Sequence, residues 1–315
     1  MPRTLVLPVC IALLLSACGS SDAPPPATPV ASSSSSSSSS AAAVTAAVTP
    51  PPPALAAAAV QLYAMHCGDL DFSDVNAFAD DGSMKGVPRK FVDGCYLIRH
   101  PAGDLVWDTG VPEAIADLPD GLKNADFGVH ITVPKKISAQ LAALGLAPGD
   151  IEFLSFSHMH FDHVGNGNLF KDATWIVDAD ERAAMFSEGA RKGEDFASYK
   201  DLENAKTVLI EGTASHDVFG DGSVVIHQMP GHTPGHTVLL VKTAASGNIL
   251  LTGDMWHLSE SREKRLVPAF NHDRAQTVAS MDKVEALATS EKARIVRQHV
   301  PEDFASLPVF PAALE

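Results

Sequence analysis

The chain has 315 residues, 45% hydrophobic and 19% charged, so it can bury a real core and is not a disordered polyelectrolyte. Its formal charge is −15 and it holds no basic run, which excludes nucleic acid or an anionic lipid face as a partner bound through Lys and Arg. Four cysteines are too few for a disulfide scaffold of this length.

The N-terminus reads as an export signal over residues 1–17. Arg3 supplies the positive start, and residues 5–15 are an apolar stretch shorter than the roughly 20 residues a membrane span needs. The stretch closes on Leu15-Ser16-Ala17-Cys18, which resembles a bacterial lipobox with Cys18 as the acylated residue. Gly19 in place of Asp after that cysteine favours a lipid-anchored protein of the outer membrane over one kept at the inner membrane. An ordinary cleaved signal with an incidental cysteine is the alternative. Residues 18–59 then read as a tether. They contain a serine run at 32–40 and Ala/Thr/Pro-rich sequence with no apolar face to bury, so disorder and reach are expected.

The folded part is expected from residue 60 to 315. Residues 60–65 alternate like a strand, as do 91–98 and, past a turn at 101–103, 104–107. Ile137, Leu141 and Leu144 keep helical spacing up to Gly145, a helix end. After a turn at 148–150 comes a short apolar strand at 151–156. Further strands are predicted at 174–177, 207–210, 223–228, 237–241, 249–252 and 295–297. Helices are predicted at 179–187 and 274–288, the second with Val278, Met281, Val284 and Leu287 in one stripe. There is no internal repeat and no second linker, so this is one mixed α/β domain.

The chemistry gathers at predicted strand ends. Ser157-His158-Met159-His160-Phe161-Asp162-His163 follows the strand at 151–156 directly. Neutral imidazoles with a carboxylate suit zinc, and also iron, manganese or cobalt. Groups this close cannot all reach one ion, so two adjacent divalent ions are the economical reading. Three more candidates end strands: His232 and His236 in Pro230-Gly231-His232-Thr233-Pro234-Gly235-His236, Asp254 in Leu251-Thr252-Gly253-Asp254, and His299 in Val296-Arg297-Gln298-His299.

This HxHxDH run, followed by GH, GD and a late His, resembles the metallo-β-lactamase superfamily over residues 60–315. The resemblance implies a four-layer αββα sandwich with the site at one edge of two sheets. It implies His158, His160 and His232 as ligands of one metal and Asp162, His163 and His299 as ligands of the other. Asp254 would bridge the two together with a shared hydroxide. His236 would then have a supporting role, and Asp108, in Val106-Trp107-Asp108-Thr109-Gly110, would be a buried acceptor orienting a ligand His.

Within that superfamily, zinc β-lactamases lack the Asp at the Gly253-Asp254 position, which points instead to hydrolases of lactones, thioesters or phosphoesters. The segments 95–98, 107–112, 157–165, 233–236 and 251–254 resemble the N-acyl homoserine lactonases, as does Phe161 inside the metal motif. The implied reaction is attack of the bridging hydroxide on a lactone carbonyl, with Asp162 passing a proton to the leaving alkoxide. Quorum quenching follows from that substrate class. One position departs: where many of those lactonases carry a Tyr three residues past the bridging Asp, this chain has His257. An imidazole there resembles the methyl parathion type of organophosphate hydrolase, so an organophosphate or aryl ester is the alternative substrate. His257 can still donate a hydrogen bond to a developing oxyanion.

An apolar groove for the acyl chain is expected from Phe127, Phe161, Met255, Trp256 and Phe270, with Phe161 and Trp256 favoured because they flank ligands. The polar stretch 181–206 reads as a lid or a solvated helix. Ser157 beside His158 does not read as a nucleophile, since the imidazole is committed to metal. His66, His100, His130, His216, His227 and His272 lack ligand spacing and read as ordinary surface or core histidines. Cys67 and Cys95 read as a disulfide or as two buried thiols. No oligomeric state follows from the sequence.

Overall fold

A computed structural model describes residues 60–315; the expected signal, Cys18 and the tether lie outside the described residues. Two twelve-residue strands open the fold, β1 (Gln61–Phe72) and β2 (Arg89–His100), paired antiparallel. With β3 (Gly103–Trp107), β4 (Leu122–Asn124), β5 (Val129–Thr132), β6 (Phe153–Ser155), β7 (Thr174–Asp178) and β8 (Thr207–Ile210) they form one sheet, in the order β4-β5-β1-β2-β3-β6-β7-β8. The run β3-β6-β7-β8 is parallel. The second sheet is β13-β12-β11-β10-β9, from β9 (Ser215–Asp217), β10 (Val224–Gln228), β11 (Thr237–Thr243), β12 (Gly247–Leu251) and β13 (Arg294–Val296).

Strand alternation sorts the core into layers. In β1, Leu62 and Ala64 join Tyr96, Ile98, Trp107, Leu239, Val241 and Leu251 in a cluster between the sheets. Tyr63 and Met65 go to the opposite face, with Leu97 and Val106. That outer face is covered by α1 (Ile137–Ala143), α3 (Ala179–Met185) and α4 (Phe196–Tyr199), through Ile137, Leu141, Met185 and Tyr199. The outer face of the second sheet offers Val238, Leu240 and Leu250 to Met281, Val284 and Ala288 of α6 (Arg274–Glu291). The result is the four-layer αββα sandwich. Short helices α2 (Phe161–Val164), α5 (Ser261–Lys264) and α7 (Pro301–Ala305) occupy connections. Among the described residues no helix is long and apolar enough to cross a membrane.

Several details differ from the sequence expectation. The inward face of α6 is Thr277, Ser280, Met281, Val284 and Ala288, with Val278 and Leu287 on its flanks. Two polar residues can sit on that face because each finds a backbone acceptor. Ser280 Oγ donates to Pro230 O at 2.7 Å, and Thr277 Oγ1 to Asp273 O at 2.9 Å. The first bond also fastens α6 to the loop that carries His232. β4, β5 and β9 add to the expected strands; each has only three or four residues and too little alternation to read. Cys67 and Cys95 form a disulfide across β1 and β2, beside a bulge between His66 and Gly68.

Candidate metal centre

The candidate residues leave the C-terminal ends of strands from both sheets, where open α/β sheets usually assemble their sites. Asp108 follows β3, and the 157–163 segment follows β6. His232 lies past β10, Asp254 past β12 and His299 past β13. Gly253 makes the turn into Asp254 possible. Its φ is +47°, and a Cβ there would meet Ser157 Cβ at 2.6 Å and His236 Nε2 at 2.9 Å.

The side chains converge in two groups, His158, His160, His232 and Asp254 in one and Asp162, His163 and His299 in the other. Within each group the ligand atoms lie within 4.8 Å of one another. His158 Nε2 is 2.8 Å from His160 Nδ1, and His232 Nε2 is 3.1 Å from the same Nδ1. The Asp254 carboxylate lies between the groups. Its Oδ2 is 3.5 Å from both His158 Nε2 and His232 Nε2, while Oδ1 is 3.2 Å from His163 Nε2 and 3.0 Å from His299 Nε2. Asp162 Oδ2 is 3.6 Å from His299 Nε2. The buried His163 Nε2 and Asp254 Oδ1 make no hydrogen bond among the described residues. Converging imidazole nitrogens and carboxylates with such unmatched buried atoms fit a pair of divalent ions.

Outer partners decide which ring nitrogen faces inward. Asp108, fully buried with φ +55°, accepts Ser157 N–H at 2.7 Å and Ser157 Oγ–H at 3.0 Å, and its Oδ2 is 3.1 Å from His163 Nδ1. His163 therefore turns Nε2 to the centre. Ser157 Oγ, itself fully buried, also lies 3.1 Å from His158 Nδ1. Its hydroxyl is used up orienting imidazoles and is no nucleophile. His299 Nδ1 is 3.1 Å from Val92 O, which leaves Nε2 for the centre. His236 is different: Nδ1 faces Met229 O at 3.2 Å and Nε2 accepts the Asp254 N–H at 3.1 Å. With both nitrogens engaged, it holds up Asp254 and has nothing left for a metal.

The two groups differ electrostatically. Burial, reinforced by neighbouring imidazoles, holds His158 and His160 well below their ordinary pKa. Burial also works against charge on His163 and His299, but carboxylates outweigh it. Asp254 and Asp108 hold His163 well above its ordinary value, and Asp254 and Asp162 raise His299 to about 9. A metal needs the neutral imidazole. At pH 7 the metal-free protein thus presents His158 and His160 ready and His163 and His299 protonated. Metal uptake at the Asp162–His163–His299 group is expected to release protons at pH 7, and affinity there to fall more steeply as pH falls. Calorimetry in two buffers of different ionisation enthalpy reads this directly; uptake of both equivalents without proton release would contradict it.

Residues 94–299 match the metallo-β-lactamase superfamily. The chain belongs to that superfamily. It is 31% identical over 254 residues to the N-acyl homoserine lactonase AttM of Rhizobium radiobacter, covering 78% of this chain and 95% of the relative. It is 32% identical over 247 residues to an N-acyl homoserine lactonase of a Bacillus species, covering 77% and 93%. A solved N-acyl homoserine lactone hydrolase, with the product N-hexanoyl-L-homoserine at its catalytic metal centre, superposes with a TM-score of 0.68 at 28% identity. That match covers 81% of this chain and 98% of the other.

In this member of the superfamily the two ligand groups open into an apolar pocket. It is lined by Phe72, Phe78, Phe91, Phe127, Phe161 and Phe270, with His160, Asp162, Asp254, His257 and His299 at its floor. Phe127, Phe161 and Phe270 are therefore pocket residues. Met255 and Trp256 are not. Each is 1% exposed and packs with Met281 and Val284 beneath α6, because the turn that aims Asp254 at the centre sends the next side chains into that layer. Phe72, Phe78 and Phe91 take their place, from β1, β2 and their connection, where no motif marks them. His257 Nε2 lies 2.9 Å from Asp254 Oδ2, and its ring stacks over His299 at 5.8 Å. The 181–206 stretch is not one solvated helix; it runs through α3, α4 and short turns between and after them. It packs Phe186, Phe196, Tyr199 and Leu202 against the outer face of the first sheet. None of His66, His100, His130, His216, His227 or His272 joins either ligand group.

Of the further buried carboxylates, Asp93 and Glu181 reach loops of the site and belong to no motif. Asp93 accepts Val111 N–H at 2.8 Å and Gln298 Nε2–H at 3.2 Å; burial, with Asp162 nearby, pushes it up to about 7. Glu181 accepts two backbone N–H groups, and burial pushes it up to about 7 as well. Asp93 sits inside a strand, and Glu181 in the first turn of a helix, where an acid reads as ordinary capping. Neither has a sequence signal beyond its type.

Proposed function

We propose that this chain opens lactone rings, N-acyl homoserine lactones foremost, at a centre of two divalent ions, with zinc the ion assigned. The observation that carries the reading is the Asp254 carboxylate, one oxygen toward each ligand group, on the floor of a phenylalanine-lined pocket. His158, His160 and His232 would hold one ion, Asp162, His163 and His299 the other, and Asp254 both. Bound there, the ions supply Lewis acidity and lower the pKa of a coordinated water to about 7.

The chain's own residues do the rest. The phenylalanines take the acyl chain and keep water from the ester. Burial holds His257 down to about 4, so it is neutral at pH 7 and offers a hydrogen bond to the carbonyl side without adding charge. Asp162 lines the pocket beside the centre, where its carboxylate is placed to take a proton and return it to the departing alkoxide. Zinc-loaded protein given a long-chain N-acyl homoserine lactone is expected to release acid with kcat/KM above about 10⁴ M⁻¹s⁻¹. A rate orders of magnitude lower, with metal in place and faster turnover of a phosphotriester, would move the assignment to the organophosphate alternative.

The N-terminal reading completes the proposal. Residues 1–17 direct export, Cys18 carries the acyl chains, and residues 18–59 let the domain stand off the outer membrane. Cys18→Ser is expected to move the enzyme from the membrane fraction to the soluble one; an unchanged distribution would rule the anchor out.

A further inference from the structure

Glu181 touches no ligand atom, yet it joins two ligand-bearing loops. It is 2% exposed and lies in the first turn of α3. Its origin is fixed by Asp178, which accepts the Asp180 and Glu181 amides at 2.8 and 3.2 Å. From there Oε1 accepts Met159 N–H at 2.7 Å and Oε2 accepts Gly235 N–H at 2.8 Å. Met159 stands between His158 and His160. Gly235 stands between His232 and His236. These segments leave different sheets and share no sequence neighbourhood.

We propose that Glu181 is a positioning residue whose carboxylate clamps the His158–His160 segment to the His232 loop and so sets the spacing of that three-imidazole group. The inference rests on the metal-centre reading above. The loop comes close enough only because residue 235 is glycine; a Cβ there would run into Asp178 Oδ1 and the Glu181 amide. Among the described residues no Lys or Arg pairs with Glu181, so two directed amides, with the Thr233 hydroxyl beside them, meet its charge. A buried carboxylate of this kind is a poor way to gain stability compared with an apolar side chain of similar size. It is a good way to hold two backbones in one register, because each oxygen fixes one N–H.

The test uses the metal-stripped full chain titrated with Co²⁺ against a competing chelator, followed by visible absorption. Wild type is expected to take two equivalents. Glu181→Gln puts an NH₂ against one of the two amides. It is expected to weaken one equivalent by about 10- to 100-fold and to change that equivalent's absorption bands, while the other binds as before. With metal saturating, kcat should fall while KM for the lactone holds. If the Gln variant does not fold, Glu181→Asp, which keeps the charge but reaches only one amide, is read by the same criteria. Unchanged cobalt affinities would overturn the proposal. So would equal weakening of both equivalents alongside a lower Tm, which would mark mere destabilisation. Wild-type protein that binds no cobalt would instead overturn the metal-centre reading itself, and the clamp with it.

Discussion

Changing Asp254 to alanine is expected to lower kcat/KM on a lactone by more than about 100-fold and to cost the protein at least one tightly bound ion. Removing an outer partner of a metal ligand already costs about 10- to 100-fold. Among the described residues, Asp254 is the one carboxylate whose two oxygens face different ligand groups, at 3.5 Å from His158 and His232 and at 3.0 and 3.2 Å from His299 and His163. Its charge also sets the local protonation. Despite burial, the imidazoles of His299, His257 and His163 hold its carboxyl well below the usual range, and it in turn keeps His163 and His299 up. Asp254→Asn keeps the volume and one acceptor oxygen but drops the charge. If charge is what counts, it should behave nearly as badly as alanine. Metal analysis beside steady-state kinetics decides the matter; either variant retaining both ions and activity within a few-fold of wild type would refute the shared-ligand role.

The second large effect is expected at Asp108. Asparagine is the informative replacement because it tolerates positive φ about as well as aspartate, so backbone strain does not confuse the result. Its oxygen can still accept the Ser157 N–H. Its amide, however, would face His163 Nδ1 with a second donor in place of an acceptor. His163 then gains by moving its proton to Nε2, the nitrogen that faces the centre. Affinity for the ion held by Asp162, His163 and His299 is expected to drop about 10- to 100-fold, with little change at the other. Metal titration of the variant would show one weakened equivalent; two unaltered equivalents would mean the orientation of His163 is set elsewhere.

Much of this site is legible in the sequence, for a local reason. The 158–163 segment packs three histidines and an aspartate into one strand-to-loop turn, and His232, Asp254 and His299 each stand just past an apolar run. Such signals survive because chemistry and strand end are adjacent in sequence. The pocket is harder to read. Sequence adjacency to Asp254 favours Met255 and Trp256, but a turn changes direction within one residue and buries both under α6. Phe72, Phe78 and Phe91 reach the pocket from the other end of the chain, so only tertiary packing reveals them. The same holds for Asp93 and Glu181, whose partners are backbone amides distant in sequence. Among the secondary elements, long alternating strands are legible, whereas β4, β5, β9 and the one-turn helices α2, α4 and α5 are too short for periodicity to speak.

Each ligand group draws on both sheets. His158 and His160 come from the first and His232 and Asp254 from the second, just as Asp162 and His163 come from the first and His299 from the second. An ion held by either group would therefore rivet the sandwich together, and neither half of the chain could assemble such a coordination sphere alone. The centre cannot mature until residues as distant as 158 and 299 have docked, which makes its formation a late, long-range event in folding. Once formed, occupancy feeds back on the whole molecule. At a thousandfold excess of metal over Kd, each ion adds about 4 kcal/mol to the folded state. Metal supply would thus set the lifetime of the folded chain against unfolding and proteolysis as well as its turnover.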